Sequence, residues 1–428
     1  MASAKLFSNL TCVKTAARCV KPKEILKYSV SQKRSRGLLF STHSNTENEL
    51  DKKTTKLENL SIVSRKMSSS INKKLLVAVQ ESRRFMVDCF TAVNVPQDHA
   101  KQMADLLVAA DYRGHFSHGM NRLEMYLNDL TINSTDGAAV PKILKETPST
   151  AWVDGCNGLG AVVGNFCMDL AIKKAKQVGV GWVCARGSNH YGIAAWYPMR
   201  AMKEGLVGMS MTNTSPLMAP TRSKEAALGT NPLCLGVPAK NDKFLLDMAT
   251  TAVAVGKIEI QRRKGAPLPD GWAQDPDGKV TNDAELAFKT GCLMPLGGLE
   301  INSGYKGYGL GGLVDILSGV MSGANYSTKV RKWTHAGANT AADLGQVFIA
   351  VDPNCFAPDF EERMCDFNAR LRGCTPTDPA KPVLVAGDKE TINMKAVDEA
   401  GGIEYLPNQL KTCEILSERF KVKPIGFV

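Results

Sequence analysis

Several absences narrow what this chain can be. None of its twelve cysteines stands in a Cys-X-X-Cys pair, the spacing that zinc ribbons and thioredoxin-type redox sites require. With no secretory apolar segment to imply an oxidising compartment, the cysteines read as reduced and mostly buried. No apolar run reaches the ~20 residues of a transmembrane helix, so membrane partners are not expected. No Gly-X-Ser-X-Gly elbow precedes a helix, which leaves a serine hydrolase without its nucleophile. Histidine is scarce as well, at six in 428 residues, so a histidine set among other polar groups carries weight.

Charge excess is missing from most of the chain too. Of the formal +11, residues 1–46 hold nine Lys/Arg against the single acid Glu24, a net +8 that leaves +3 for the rest. A body so nearly balanced has no nucleic-acid-binding surface written into it. The same 46 residues include seven serines, and an Arg- and Ser-rich, acid-poor leader has the composition of a mitochondrial transit peptide. Residues 47–70 stay polar and are expected to be a disordered linker. Met67 lies just before the first sustained apolar periodicity, and translation from it would leave the same body in the cytoplasm.

What is present reads as two kinds of structure. Leu75, Leu76, Val79, Phe85, Met86 and Phe90, then Met103, Leu106, Leu107 and Ala110, then Leu123, Tyr126, Leu127 and Leu130 recur at helical spacing. From Ala151 onward short strands are expected at 151–153, 180–184, 207–211, 233–237, 244–248, 346–351 and 382–385. Helices are expected at 161–177 and 306–322.

Two histidines sit where these segments break. His190 follows a short apolar strand, in Arg186-Gly187-Ser188-Asn189-His190-Tyr191-Gly192. His118 lies in Ser117-His118-Gly119, with Arg122 one helical turn further on. A guanidinium holds a carboxylate in two parallel hydrogen bonds, and a histidine beside it gives or takes the proton of an adjacent carbonyl or hydroxyl. That pairing suits interconversion of 2-hydroxy and 2-oxo acids with a nicotinamide nucleotide. Gly158-Leu159-Gly160 with Gly164 looks like a dinucleotide fingerprint, but the following strand ends in Arg186 where a ribose-binding acid belongs; glycines that ease helix packing explain it better. The run Gly304–Gly312 with Lys306 suits either an anion at a helix start or tight packing. A competing reading groups His115, His118 and Asp111 as ligands of a metal-dependent hydrolase. Another keeps nucleotide binding without turnover.

Taken in order, a set of motifs resembles the malate/L-lactate dehydrogenase family, which also includes ureidoglycolate, sulfolactate and diketogulonate oxidoreductases and is unrelated in fold to the Rossmann-type lactate and malate dehydrogenases. The motifs run from Asp111 to Arg122, through Ser188–Gly192, Asn213–Pro216, Gly229–Pro232, Asp247–Thr250, Gly271-Trp272 and Lys306–Leu310, to Gln346–Pro353, and the resemblance covers residues 70–428. It implies an α+β, non-Rossmann fold: a helical domain from both chain ends (71–147 and 304–428) plus a nucleotide-binding domain on a mostly antiparallel sheet (148–303). It implies NAD or NADP as cofactor, a small carboxylate as substrate (malate or a close analogue) and a homodimer. By motif, proton transfer falls to His118, supported by Ser117, Arg122 and Asp247, with His190 as second candidate. The nucleotide pocket would be lined by Asn213, Thr214, Ser215, Gly229, Thr230, Asn231, Pro232, Asp247, Met248, Ala249, Lys306 and Gly307; no metal is implied. The chain departs from the family pattern in Ala386-Gly387-Asp388, where Pro-Gly-Glu is common, and in a longer approach to Lys306.

Overall fold

The computed structural model describes residues 75–332 and 340–428, so the leader, the linker and Met67 lie outside the described residues. In chain order the elements are β1 (Leu76–Val77), α1 (Val79–Ala92), α2 (Gln97–Tyr112), α3 (Leu123–Thr131), β2 (Lys142–Glu146), β3 (Thr150–Asp154), α4 (Gly160–Val178), β4 (Val180–Ser188) and α5 (Trp196–Lys203). They continue with β5 (Val207–Thr212), β6 (Leu233–Pro238), β7 (Lys243–Met248), α6 (Val255–Lys264), α7 (Ala284–Thr290), α8 (Gly304–Asp315) and β8 (Leu344–Val351). The chain closes with α9 (Phe360–Arg372), α10 (Asp388–Ala400), β9 (Ile403–Glu404) and α11 (Pro407–Phe420).

An apolar helix face has to be covered, and here the two chain ends cover each other. Phe85, Phe90, Met103 and Leu107 of α1 and α2 share one core with Ile403, Tyr405, Leu410 and Leu416. Burying each such side chain contributes roughly 1.5–3 kcal/mol. β1 and β9 pair antiparallel, Leu76 with Glu404 and Val77 with Ile403, which fixes the register of the union.

The seven-stranded sheet runs β2-β3-β4-β8-β5-β6-β7. Only β3 and β4 are parallel, joined by the α4 crossover; the other neighbours are antiparallel. A Rossmann sheet is parallel throughout, so the fold is α+β and non-Rossmann. β8 is buried at every position but its last and sits centrally, whereas β2 is exposed along its whole length and forms an edge. α4 lies directly on β4 because Gly181 has no side chain: a Cβ there would stand 2.0 Å from the Ala171 carbonyl oxygen.

Two expectations need correction. β2 and β8 pair in the sheet although they fall outside 148–303, so the return to the helical core comes later, with α10, β9 and α11. Residues 382–385 are not a strand. The Val385 N–H turns back to Asp388 Oδ2 at 2.9 Å, and proline at 382 has no N–H to give a ladder. The segment read as a helix at 306–322 is helical across that span, as α8, then a π-helical turn, Ile316–Val320, and on to residue 322.

Candidate active site

The polar cluster at residues 115–122 sits on a folded-back connection. Gly114, at φ +83°, turns the chain out of α2, and two short 3-10 turns, Phe116–His118 and Met120–Arg122, lead directly into α3. Asp111 pins the connection from below: its Oδ2 accepts from the Met120 N–H at 2.8 Å and from the Tyr405 hydroxyl at 2.9 Å. Gly119 passes so close that a Cβ would lie 1.9 Å from Asp111 Oδ1. Asp111 is fully buried, and burial pushes its carboxyl up to about 7.

His190 arrives from the end of β4. Asn189 Nδ2 donates to the Gly158 carbonyl at 2.9 Å, and Gln346 Nε2 donates to the Asn189 carbonyl at 2.9 Å. A Cβ on Gly160 would stand 2.2 Å from the His190 carbonyl oxygen. The glycines that imitate a dinucleotide fingerprint therefore let α4 begin against the His190 backbone.

The fold brings the two histidines together. Their rings stack, with centroids 5.8 Å apart and 21° between planes. Ser117 Oγ meets His118 Nδ1 at 2.9 Å. His190 Nδ1 is held by the hydroxyl of Tyr126, a residue only 4% exposed. Arg122 Nε donates to the Ser117 carbonyl at 2.7 Å, and its terminal nitrogens have no hydrogen bond among the described residues. Burial holds His118 down at about 4, with Arg122 and then His115 adding to the effect. Burial likewise lowers His190 well below its ordinary range, with His118 and Arg122 contributing. Both rings are thus neutral near pH 7, each with one nitrogen fixed by a neighbour, an arrangement able to exchange a proton beside a bound carboxylate.

Asp247 lies elsewhere than expected. Its Oδ2 accepts from the Ala195 N–H at 2.8 Å. Burial raises its carboxyl, and the charges it feels are those of His115 and Glu390 rather than His118. It borders a cavity of about 230 Å³ whose wall includes Arg113, His115, Leu245, Gly387, Lys389 and Glu390. The metal-hydrolase grouping does not form. His115 Nε2 faces Glu390 Oε1 at 3.4 Å, His118 turns to Ser117, and Asp111 turns down to Tyr405. No group of three potential ligands converges among the described residues.

The residues expected around the nucleotide form a network between β5, β6 and α8. Asn231 accepts from the Thr214 N–H at 3.1 Å and donates to the Gly311 carbonyl at 2.9 Å. Thr214 Oγ1 accepts from the Thr230 N–H at 2.9 Å, and a Cβ on Gly229 would stand 2.1 Å from that same oxygen. Asn213 bridges the Asn325 carbonyl and the Gly345 N–H at 2.7 and 2.9 Å. Ser215 Oγ donates to the Arg331 carbonyl at 2.7 Å. The Pro232 carbonyl accepts from Thr212 at 3.4 Å, and Met248 and Ala249 lead from Asp247 to Thr250, whose hydroxyl binds the Thr230 carbonyl at 3.0 Å. Gly307 packs on the Leu296 backbone, while Lys306 is exposed beside Tyr305. These polar side chains mostly hold two loops rigid. The cavity next to Asp247 has an apolar wall at Leu245 and Val385, cations at Arg113 and Lys389, the carboxylates of Asp247 and Glu390, and the start of α10 at Gly387.

From sequence Tyr126 reads only as an apolar helix position. Its signal is the i, i+4 spacing from Arg122, which places it one turn beyond the arginine.

Comparison with known proteins finds relatives over most of the chain. The profile described as malate/L-lactate dehydrogenase matches residues 77–413. A malate dehydrogenase of Pyrococcus horikoshii is 41% identical over 337 residues, 78% of this chain and 91% of that protein. Its solved structure superposes with a TM-score of 0.75 at 37% identity, covering 82% of this chain and 97% of that one. An L-sulfolactate dehydrogenase of Methanocaldococcus jannaschii is 38% identical over 80% of this chain and 97% of its own length. A ureidoglycolate dehydrogenase (NAD(+)) of Escherichia coli K12 is 32% identical over 70% of this chain and 84% of its own.

Proposed function

The chain belongs to the malate/L-lactate dehydrogenase family and is a nicotinamide-dependent dehydrogenase of small 2-hydroxy acids, and we propose that malate and oxaloacetate, or a close dicarboxylate analogue, are the pair it interconverts. The observation that carries this reading is Arg122: a guanidinium tied down only through Nε, beside two neutral, stacked histidines. Its remaining nitrogens present the fork that grips a carboxylate in two hydrogen bonds. His118 Nε2 takes the hydroxyl proton in oxidation and returns it in reduction, while Ser117 fixes the ring through Nδ1. His190, held by Tyr126, stacks against it. A nicotinamide nucleotide, when bound, supplies or accepts the hydride. Asp247, Arg113, Lys389 and Gly387 would hold one part of it, and the Asn213–Ser215 and Gly229–Pro232 loops would support another.

The test follows nicotinamide absorbance with NADH and with NADPH against a panel of small 2-oxo acids. Oxaloacetate is expected to lead the panel, and the two nucleotides decide between NAD and NADP. His118→Gln should cut kcat by about 10²–10⁴ while nucleotide binding survives. A larger loss in His190→Gln would move proton transfer to that ring.

Two further readings belong with this one. The face of α8 and its π-turn leaves Tyr305, Leu313, Ile316 and Val320 exposed, and Gly309 and Gly312 add no side chain there. An apolar stripe of this kind supports a homodimer, with a second copy as its cover. The basic, acid-poor leader supports delivery to mitochondria.

A further inference from the structure

We propose that Arg331 is a positioning residue for the dehydrogenase site: it clasps Asp129 of α3 and Ser215 of the β5–β6 connection at once, and so sets the Tyr126–His190 pair. The proposal rests on the reading of the histidine pair as the site of proton transfer.

Arg331 Nη2 meets Asp129 Oδ2 at 2.8 Å, with the two side chains 18% and 24% exposed, the most shielded arginine–carboxylate pair among the described residues. Nη1 donates to the Thr340 carbonyl at 3.1 Å, which aims the fork. The Arg331 carbonyl accepts from Ser215 Oγ at 2.7 Å. One residue thus joins the helical core to the loop beside the sheet. An ion pair on an open surface contributes little, but this one is sheltered and joins segments 202 residues apart.

Its position gives it an electrostatic role as well. Asp129 lies one turn beyond Tyr126 on α3; burial raises the Tyr126 hydroxyl most, the positive charge of Arg122 lowers it, and the negative charge of Asp129 raises it. That hydroxyl holds His190. Among the described residues, the other ionisable groups facing the pair include His118 and Arg122, which bear on His190, and Tyr197, which Tyr126 itself affects. Offsetting the charge of Asp129 is therefore what Arg331 does for the Tyr126 hydroxyl, and through it for His190. Without it, an unpaired carboxylate beside Tyr126 favours the protonated form of the His190 ring, and the titration of that ring moves upward.

The experiment compares full-length wild type, Arg331→Met, Arg331→Lys, Asp129→Asn and the Arg331→Met/Asp129→Asn double variant. The pH dependence of kcat/KM and the NMR titration of the histidine rings are both recorded. Arg331→Met should move the His190 ring titration up by about half to one pH unit. Asp129→Asn should move it down, and the double variant and Arg331→Lys should return close to wild type. The clasp is overturned if Arg331→Met titrates like wild type, if Arg331→Lys shifts as far as Arg331→Met, or if the double variant keeps the shift of Arg331→Met. Absence of turnover in the wild type would count against the dehydrogenase reading alone, because the ring titration decides the clasp without any substrate.

Discussion

Arg122 acts on both histidines, and this makes its charge measurable. Burial is the largest cause of the low proton affinity of His118, and Arg122 is the next. Oxidation of a hydroxy acid needs the neutral ring, so the acid limb of kcat/KM, which reports the free enzyme, should lie far below the ordinary histidine range. A substrate carboxylate on Arg122 offsets the positive charge, so the limb of kcat should lie higher than that of kcat/KM. Arg122→Gln removes one lowering influence and should raise the kcat/KM limb. Arg122→Lys should leave that limb nearly in place but raise KM about 10-fold or more, because charged hydrogen bonds are lost with the fork geometry. Paired pH–rate profiles check all four statements; an unmoved limb in Arg122→Gln would place its guanidinium away from the rings. Ser117, His118 and Arg122 were legible in the sequence because one short polar segment carries them, but the single helical turn expected from His118 to Arg122 does not form: Gly119 separates two 3-10 turns. Tyr126 was not legible, since a tyrosine on an apolar helix stripe reads as core until its partner is known. Asp247 was assigned the wrong neighbour for the same reason: nothing local says whether a buried carboxylate will meet His118 or His115.

At the scale of elements, the connection between α2 and α3 depends on a missing side chain. Gly119 lies against Asp111 with no room for a side chain. Gly119→Ala would drive a methyl group into Asp111 Oδ1 and loosen the Met120 bond that anchors the loop. Overpacking of this kind costs typically 1–3 kcal/mol, and kcat should fall with stability because His118 and Arg122 ride on the same turns. Gly256→Ala, in α6 with nothing within 4 Å of the added carbon, should instead be neutral or stabilise by up to about 1 kcal/mol. Thermal melts and kcat on the two variants separate a tight approach from a general intolerance of alanine. The strands from β3 to β8 could be read because their apolar runs are bounded by glycine and proline. β2 could not: Lys142, Ile143, Leu144, Lys145 and Glu146 are all exposed on an edge, and alternation appears only where one face is buried. Strand order was equally hidden, because β8 finds its place between β4 and β5 through contacts formed by residues more than 130 apart.

For the whole molecule, the question is whether the basic leader and the folded body are separable. The first described element is β1 at Leu76–Val77, and it closes on β9 and on the C-terminal residue Val428, whose N–H donates to the Leu76 carbonyl at 3.0 Å. A chain beginning at Met67 keeps every described element and both partners of that closure. It should therefore melt at the temperature of the full-length protein, retain its kcat, and remain in the cytoplasm when expressed in cells. Truncation beyond Val77 should behave differently, because removing β1 uncovers the β9 edge and the buried Ile403 and Tyr405 beneath it. The leader is a physically distinct region, +8 in 46 residues against +3 in all the others, and such a segment is drawn toward a negatively polarised compartment. Residues 1–40 fused to a fluorescent reporter are expected to carry it to mitochondria. A cytoplasmic reporter would end the targeting proposal, and an unstable Met67 chain would show that residues before 67 take part in the fold.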